Sequence, residues 1–230
     1  MFLSSNVTLK RPVTSYAKVQ HLVGNLIRNR KYQLKSRRIA GLNYLNVGCG
    51  RNAHPEFINI DYLWHPQVDV CWDITRGLPF ADQSFEGIYT EHCLEHFSLP
   101  AAFEILKDLR RVLKPGGTLR VVVPDAEIYL RTYLAQLGGD KNAKFPFQDH
   151  EAFNGITAPV LSVNRVFYQD RESPFGHQFM YDFDLLAKLL RNIGFNSVFR
   201  CDFLKGSNRQ LLVDSEDRRC ESLYAEATVS

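Results

Sequence analysis

The chain has 230 residues, a length that fits one domain with a full hydrophobic core. Its hydrophobic content of 45% and charged content of 23% are ordinary for a soluble globular protein. No apolar run approaches the ~18–20 residues that span a bilayer, and the N-terminus lacks the apolar core of a secretory signal. The five cysteines, an odd number without a C-x-x-C pair, argue against a disulfide framework or structural zinc. We therefore expect a cytoplasmic protein with reduced thiols.

The charge is unevenly distributed along the chain. Residues 1–55 hold ten Lys and Arg and no acid, whereas the remainder has 18 basic and 25 acidic residues. From residue 16 to 38, apolar side chains recur at helical spacing between basic ones, which predicts an amphipathic helix. Such a helix either covers one end of the domain or lies on an anionic membrane surface; a transit peptide fits less well. We assign residues 1–40 to this extension and 41–230 to the main domain.

Apolar runs alternate with helical patterns through the main domain. Strands are predicted at 43–47, 57–60, 68–71, 85–90, 118–123 and 196–201, and helices at 100–113, 125–137 and 182–192. Residues 138–176 are less regular and are predicted to be an insertion or lid with a short helix. Residues 222–229 alternate with a period of two, which predicts a last, antiparallel strand. This order predicts an α/β fold, a Rossmann-like three-layer sandwich with a mostly parallel sheet.

Ligands of such sheets bind beyond the carboxyl ends of the strands, so we expect the chemistry directly after each strand. The first strand runs into Gly48-Cys49-Gly50, where the backbone can approach a ligand closely and offers it amide donors. Alone, this pattern also fits a structural tight turn. Ala53 occupies the third glycine position of the dinucleotide fingerprint, which argues against a bound pyrophosphate. The short gap to Asp61 leaves room for a turn in place of the usual first helix.

Acidic residues follow the next two strands. Asp61 is placed to accept both hydroxyls of an adenosine ribose. Asp73 can accept from the adenine amino group, with Ile74 packed on the ring. Each acid also fits an ordinary loop or capping aspartate. Taken with the glycine turn, we interpret the two positions as an adenosine site.

The fourth strand ends in the run Glu91-His92-Cys93-Leu94-Glu95-His96, which is unusually rich in titratable side chains. His92 and His96 are spaced i, i+4 and can share a metal on a helix, but the sequence offers no convincing third ligand. We therefore predict no metal and assign this run another role in the site. Asp125 follows the fifth strand, where it either caps a helix or faces the substrate pocket.

These segments together resemble the class I methyltransferases that use S-adenosylmethionine (SAM), most closely the small bacterial type 11 branch. Each motif is loose, but their order and spacing over residues 43 to 229 are specific. The matching segments are Leu45–Gly50, Asn59-Ile60-Asp61, Leu78-Pro79-Phe80 with Ser84-Phe85, His92–His96, Arg111–Gly117, Val123-Pro124-Asp125, Gly176-His177 with Gly194-Phe195, and Glu221–Ala227.

The resemblance implies a seven-stranded sheet with an antiparallel last strand. It implies that SAM is bound by the turn at Gly48-Cys49-Gly50, with Asp61 on the ribose. Asp73 and Ile74 then contact the adenine, and the segment around Glu91 lies near the methionine part of the cofactor. The expected activity is methyl transfer from SAM to an acceptor.

Two positions depart from the pattern of the family. Asn46 stands where many members have an acid, and Asn52 where many have a further glycine. The carbonyl oxygen of Asn46 can still bind the turn and the ammonium of the cofactor. A non-catalytic SAM-binding module is therefore one alternative. A nicotinamide-dependent oxidoreductase is a second, less favoured because of Ala53.

Methyl transfer to a hydroxyl or amine needs an acceptor aligned with the methyl group and a base for its proton. Our candidates for this base are His92, His96 and His177, with Glu91, Glu95 and Asp125 as acidic alternatives. His92 comes first because it lies immediately beyond a central strand. His177 also fits a structural role as the cap of the following helix.

The basic N-terminus suggests a bulky or surface-bound acceptor, as do aromatic residues at 145, 147, 153, 167, 168 and 175. We favour a sugar or lipid-linked glycan hydroxyl at the cytoplasmic membrane face over a small metabolite. A nucleic acid is less expected, because no stacking platform for RNA is visible.

Overall fold

The computed structural model describes residues 15–146, 155–167 and 176–230. Its strands are β1 Tyr44–Val47, β2 Ile58–Asp61, β3 Val70–Cys71, β4 Phe85–Glu91, β5 Leu113–Pro124, β6 Ser197–Cys201 and β7 Ser222–Thr228. The α-helices in this part of the chain are α1 Ser15–Ile27, α2 Leu99–Val112, α3 Ala126–Leu137, α4 Pro159–Phe167 and α5 Phe183–Ile193. None of these helices is long and apolar enough to cross a membrane.

The strands form one sheet in the order β3-β2-β1-β4-β5-β7-β6. β7 runs antiparallel to both of its neighbours, whereas the pairs among β1 to β5 are parallel. The predicted α/β class and the antiparallel last strand are therefore confirmed. The strand order reverses between β1 and β4, and a crevice forms beyond the carboxyl ends of strands at such a point.

One face of the sheet packs against α2 and α5. The apolar side chains that line these two helices are buried, among them Leu106, Leu109, Leu186 and Leu190. α5 begins at the cap Asp182, whose carboxylate accepts from the amide of Leu185, and ends at Gly194, where φ is 100°. The bounds of both helices agree with the sequence predictions within one residue. The apolar spacing and the residues that begin and end each helix predict the same bounds.

The N-terminal helix is shorter than the predicted helix over residues 16–38. It ends at Ile27, because Asn29 adopts a left-handed conformation with φ of 62°. The side chain of Asn29 accepts from the amide of Asp73 at 2.9 Å. The Gln33 amide group then pairs with the backbone of Cys71, accepting its N–H at 2.8 Å. These contacts cover the edge of β3, an edge that would otherwise be open to strand pairing.

The insertion contains the predicted short helix, α4, which packs against α3. Phe145 is buried and stacks on Tyr129 of α3, with 6.1 Å between ring centroids. Residues 147–154 and 168–175, which carry four of the six aromatic positions noted in the sequence, lie outside the described residues.

The other face of the sheet is covered at its centre by the segment between β6 and β7. Arg120 of β5 is fully buried there and binds Asp214 through two bonds of 2.7 and 2.6 Å. A third bond reaches Glu226 of β7 at 3.1 Å, and two backbone carbonyls accept the remaining donors. The burial of this charge is tolerable because every side of the guanidinium is hydrogen-bonded.

Removal of Asp214 should therefore be costly. We expect Asp214→Ala to lower the free energy of unfolding by about 3–5 kcal/mol, since it leaves Arg120 buried with one carboxylate. Urea denaturation measures the loss. As a control, Asp184→Ala breaks an exposed ion pair with Lys188 and should cost less than about 1 kcal/mol. Equal losses in the two variants would contradict a structural role for the Arg120 cluster.

Candidate active site

A cavity of about 610 Å³ opens where the strand order reverses, beyond the ends of β1, β2 and β4. Its walls bring together two groups of residues predicted from separate parts of the sequence. These are the cofactor candidates Gly48, Gly50, Asp61, Asp73 and Ile74 and the base candidates His92 and His96.

The glycine turn enters the cavity with left-handed backbone angles, φ being 68° at Gly48 and 51° at Gly50. The amides of Gly48 and Cys49 donate to the carbonyl of Ile60 in β2 at 2.9 and 3.3 Å. A Cβ atom at Gly48 would overlap the thiol of Cys93, so the turn requires glycine for space as well as for conformation.

Asp61 connects the glycine turn to the loop after β2. Its carboxylate accepts from the amides of Gly50 at 2.8 Å and Leu63 at 2.7 Å. Burial raises the pKa of Asp61, although these two amide bonds oppose the shift. Oδ1 of Asp73 accepts from the backbone amide of Thr75 at the start of a short 3₁₀ turn. Both aspartates border the cavity, as the adenosine interpretation requires.

Three of the predicted cofactor residues are not among those that line the cavity. Asn46 is buried below the turn, where its amide donates to the carbonyl of Asn52 at 2.9 Å, and does not border the cavity. Cys49 packs in a small apolar cluster with Val68 and Cys71. Glu91 accepts from the amide of Ser215 at 3.0 Å. These contacts connect the loops around the cavity to one another and to the sheet.

The sequence reasoning missed the contribution of α1. His21 and Asn25 of this helix border the cavity, one helical turn apart. Arg28, on the next turn, lies 3.6 Å above the ring of Tyr62 and donates to its carbonyl at 2.9 Å. The spacing of these three polar side chains by four and three residues indicates a polar face on the helix. The apolar spacing of the same helix drew attention away from this face.

His92 leaves β4 in a left-handed conformation, with φ of 47°. Its amide donates to the carbonyl of Val122 in β5 at 2.9 Å, which fixes this strained turn. The ring nitrogen Nε2 lies 2.8 Å from the hydroxyl of Ser222. Ser222 donates its own proton to the carbonyl of Arg218, so His92 donates from Nε2. Nδ1 of His92 is directed at acidic side chains.

Glu95 lies at the centre of three histidines and is fully buried. Its Oε1 atom is 3.4 Å from His92 Nδ1, 4.0 Å from His96 Nε2 and 3.9 Å from His177 Nε2. Burial would raise the pKa of Glu95, but the three histidines outweigh it and lower the pKa. Burial likewise opposes protonation of His92, yet Glu95 and Glu221 raise the pKa of this imidazole.

The last two base candidates have different surroundings. His177 comes from the far end of the insertion to lie beside His96, with 4.9 Å between ring centroids. The helix that follows it is capped by Asp182, so the alternative of a capping histidine is not observed. Asp125 caps α3, and its other oxygen accepts from Arg200 at 2.6 Å. Both oxygens of Asp125 are thus engaged away from the cavity, which favours its capping role.

Residues 49–121 match the model of a family described as a methyltransferase domain, of type 11. The matched segment contains Asp61, Asp73 and the histidine run that line the cavity. This match shows a methyltransferase domain over residues 49–121, and the protein is a SAM-dependent methyltransferase. Its cofactor is SAM.

Several solved structures are similar to this methyltransferase. One is a SAM-dependent methyltransferase, possible histamine N-methyltransferase, from Thermotoga maritima, with 15% identity, a TM-score of 0.48, and coverage of 95% of this chain and 97% of that chain. Another, from Archaeoglobus fulgidus, has 16% identity, a TM-score of 0.45 and coverage of 91% and 94%. A third, from Mesorhizobium loti, has 15% identity, a TM-score of 0.45 and coverage of 85% and 94%. A search of curated protein sequences found no match.

The adenosine side of the site can be tested through Asp61. We expect Asp61→Asn to weaken SAM binding about ten- to a hundredfold, because hydrogen bonds to a charged group are worth roughly 1.5–3 kcal/mol. Calorimetric titration measures the affinity. The control is Asp69→Asn, which changes a neighbouring acid outside the cavity and should leave SAM affinity unchanged. Unaltered binding to Asp61→Asn would remove this residue from the ribose site.

Proposed function

We propose that the enzyme methylates a hydroxyl group of a sugar, free or lipid-linked, and that its histidine cluster takes the proton released by the acceptor. The observation that carries this proposal is the buried Glu95 among three histidines, two of which border the cofactor cavity. A neutral hydroxyl is a poor nucleophile, and a methyltransferase that acts on it benefits from a base beside the reacting oxygen.

His92 is our first choice for the base. It borders the cavity directly beyond the central strand β4, and the hydrogen bonds of its backbone and of Nε2 fix its position. Since Nε2 donates to Ser222, the proton of the acceptor would go to Nδ1, where Glu95 and Glu221 would stabilise the imidazolium. A residue held at a sparsely populated φ is common at functional sites, because the strain must be supported by the surrounding structure. The sulfonium of SAM is activated for transfer, so the protein must align the acceptor and receive its proton.

A surface contact through α1 accompanies this proposal. Val19, Leu22 and Leu26 follow one another at helical spacing and are 49%, 64% and 68% exposed. The first 55 residues contain ten basic and no acidic residues. Apolar side chains within a basic segment fit an anionic lipid surface, which would bring the enzyme to a lipid-linked acceptor.

Incubation with methyl-labelled SAM and fractionated cell extract tests the acceptor. We expect label in the glycan or glycolipid fraction, as an acid-stable methyl ether on a sugar. The variant His92→Asn should transfer label much more slowly while it binds SAM as the wild type does. Asparagine tolerates the left-handed backbone at this position, so the change removes the imidazole with little strain.

Label only in protein, in RNA or in small metabolites other than sugars would contradict the sugar hydroxyl. Unchanged turnover of His92→Asn would remove His92 from the role of base and leave the acceptor assignment intact. SAM binding without transfer to any fraction would favour the alternative of a non-catalytic SAM-binding module.

Sedimentation with vesicles tests the surface contact. We expect the wild type to pellet with anionic vesicles and to remain in solution with neutral ones. Glutamine at positions 19, 22 and 26 should abolish pelleting, because it removes the apolar side chains and keeps the helix propensity and the basic charge.

The matched control changes an exposed apolar stripe of another helix. Leu130, Leu134 and Leu137 of α3 are 44%, 64% and 61% exposed and lie outside the basic segment. Glutamine at these positions should leave vesicle binding unchanged. An equal loss in both variants would indicate general hydrophobic adsorption and would rule out a specific contact by α1.

A further inference from the structure

Glu95, His96 and His177 form a compact set of possible metal ligands beside the cofactor cavity. One ligand atom from each side chain can be chosen so that all three lie within 4.8 Å of one another. The first two residues are on the 3₁₀ turn after β4, and the third follows the insertion. The sequence argument against a metal was the lack of a third ligand, and the structure brings His177 to that place.

The carboxylate of Glu95 is the strongest sign that something binds there. The side chain is fully buried, and among the described residues neither oxygen makes a hydrogen bond of good geometry, although Nδ1 of His92 lies 3.4 Å from Oε1. A buried carboxylate without hydrogen bonds is costly, so native proteins supply it with donors, a counter-ion or a metal. By comparison, both oxygens of the buried Asp214 on the other face of the sheet bind Arg120.

The orientation of His177 points to a cation between the two side chains. Its Nδ1 atom lies 2.7 Å from the carbonyl of Val166, which can only accept, so Nδ1 carries the proton. In the neutral ring the lone pair is then on Nε2, which lies 3.9 Å from Glu95 Oε1. Two acceptors therefore face each other across a gap. Metal-bound histidines are commonly held in this way, with the outer nitrogen donating to a backbone carbonyl.

His96 completes the arrangement. Its Nε2 atom lies 4.0 Å from the same oxygen of Glu95, and its ring borders the cavity. Ligand atoms around a tetrahedral ion with bonds of ~2.0–2.1 Å are roughly 3.3–3.4 Å apart, so a small contraction would close the site. Two imidazoles and one carboxylate are a donor set that suits zinc and neighbouring divalent metals.

We propose that Glu95, His96 and His177 bind one divalent transition-metal ion, with Zn²⁺ as the preferred ion. Three protein ligands leave a coordination position, and His96 places the ion next to the cavity where an acceptor would bind. An ion there can hold an acceptor oxygen and ease the loss of its proton. The site is argued from its own geometry and does not depend on the sugar acceptor or on His92 as base.

Metal titration of the full chain after treatment with a chelator tests the site. Co²⁺ is the spectroscopic probe, followed by its visible absorption, and Zn²⁺ is then added in competition. We expect one ion per chain and displacement of Co²⁺ by Zn²⁺. Glu95→Gln and His177→Ala should each weaken binding by more than the ~10–100-fold that follows loss of an outer-shell partner.

The matched control is His54→Ala. Nδ1 of His54 is also buried without a hydrogen-bond partner among the described residues, but this histidine is outside the ligand set. Metal affinity should be unchanged in this variant. SAM titration of every variant verifies that the cofactor cavity is intact. Glu95→Gln preserves the volume of the side chain, whereas His177→Ala removes most of it, so the two ligand variants perturb packing to different extents.

Equal affinity of the wild type and both ligand variants would overturn the proposal, as would absence of Co²⁺ and Zn²⁺ binding by protein that binds SAM normally. Because metal binding is read directly, its outcome is separate from that of the methyl-transfer assay. An enzyme that binds the ion but methylates no sugar would contradict the proposed function alone.

Discussion

Parallel pairing of β1 with β4 at the centre of the sheet determines where the site residues meet. Val47 pairs with Thr90, so the glycine turn and the histidine run leave the sheet side by side. The Cβ position of Gly48 falls on the thiol of Cys93, which shows how closely the two loops approach. The glycine turn and the candidate base therefore lie at the same edge of the sheet. The strand order reverses at this point.

Two buried charges on the two sides of the sheet have opposite environments. Arg120 is surrounded by two carboxylates and two carbonyls, and its donors are satisfied. Glu95 is equally buried, but within the described residues its Oε1 atom has the ring nitrogens of three histidines at 3.4–4.0 Å and no hydrogen bond of good geometry. The first arrangement is what stability requires of a buried ion. The second leaves binding capacity unused, and such unsatisfied groups in native proteins call for a functional explanation.

The sequence predicted the elements of the sheet well and placed two cofactor candidates that border the cavity, for a physical reason. In a parallel sheet the chemistry follows the strands, so Asp61 and Asp73 could be placed without knowledge of the loops between them. The roles of Asn46 and Glu91 could not be placed this way. Each follows or ends a strand, but the direction of a side chain depends on contacts with Asn52 and with Ser215 that the sequence does not reveal.

The remaining differences arise from contacts between distant parts of the chain. His177 meets Glu95 and His96 only because the insertion returns to the end of β4, and a local motif search finds two ligands there at most. The early end of α1 has a similar origin. Asn29 breaks the helix without a glycine or proline, and its side chain binds the amide of Asp73, a cavity residue. Helical spacing over residues 16–38 carries no sign of this contact.

α1 links the cofactor cavity to the surface of the molecule. His21 and Asn25 on one side of the helix border the cavity, while Leu22 and Leu26 are exposed. Arg28 ties the end of the helix to Tyr62, the residue after Asp61. If the exposed side of α1 binds a lipid surface, the rim of the cavity lies close to that surface. A lipid-linked acceptor could then reach the methyl group without leaving the membrane, so the lipid-linked form of the proposed acceptor and the proposed surface contact depend on the same helix.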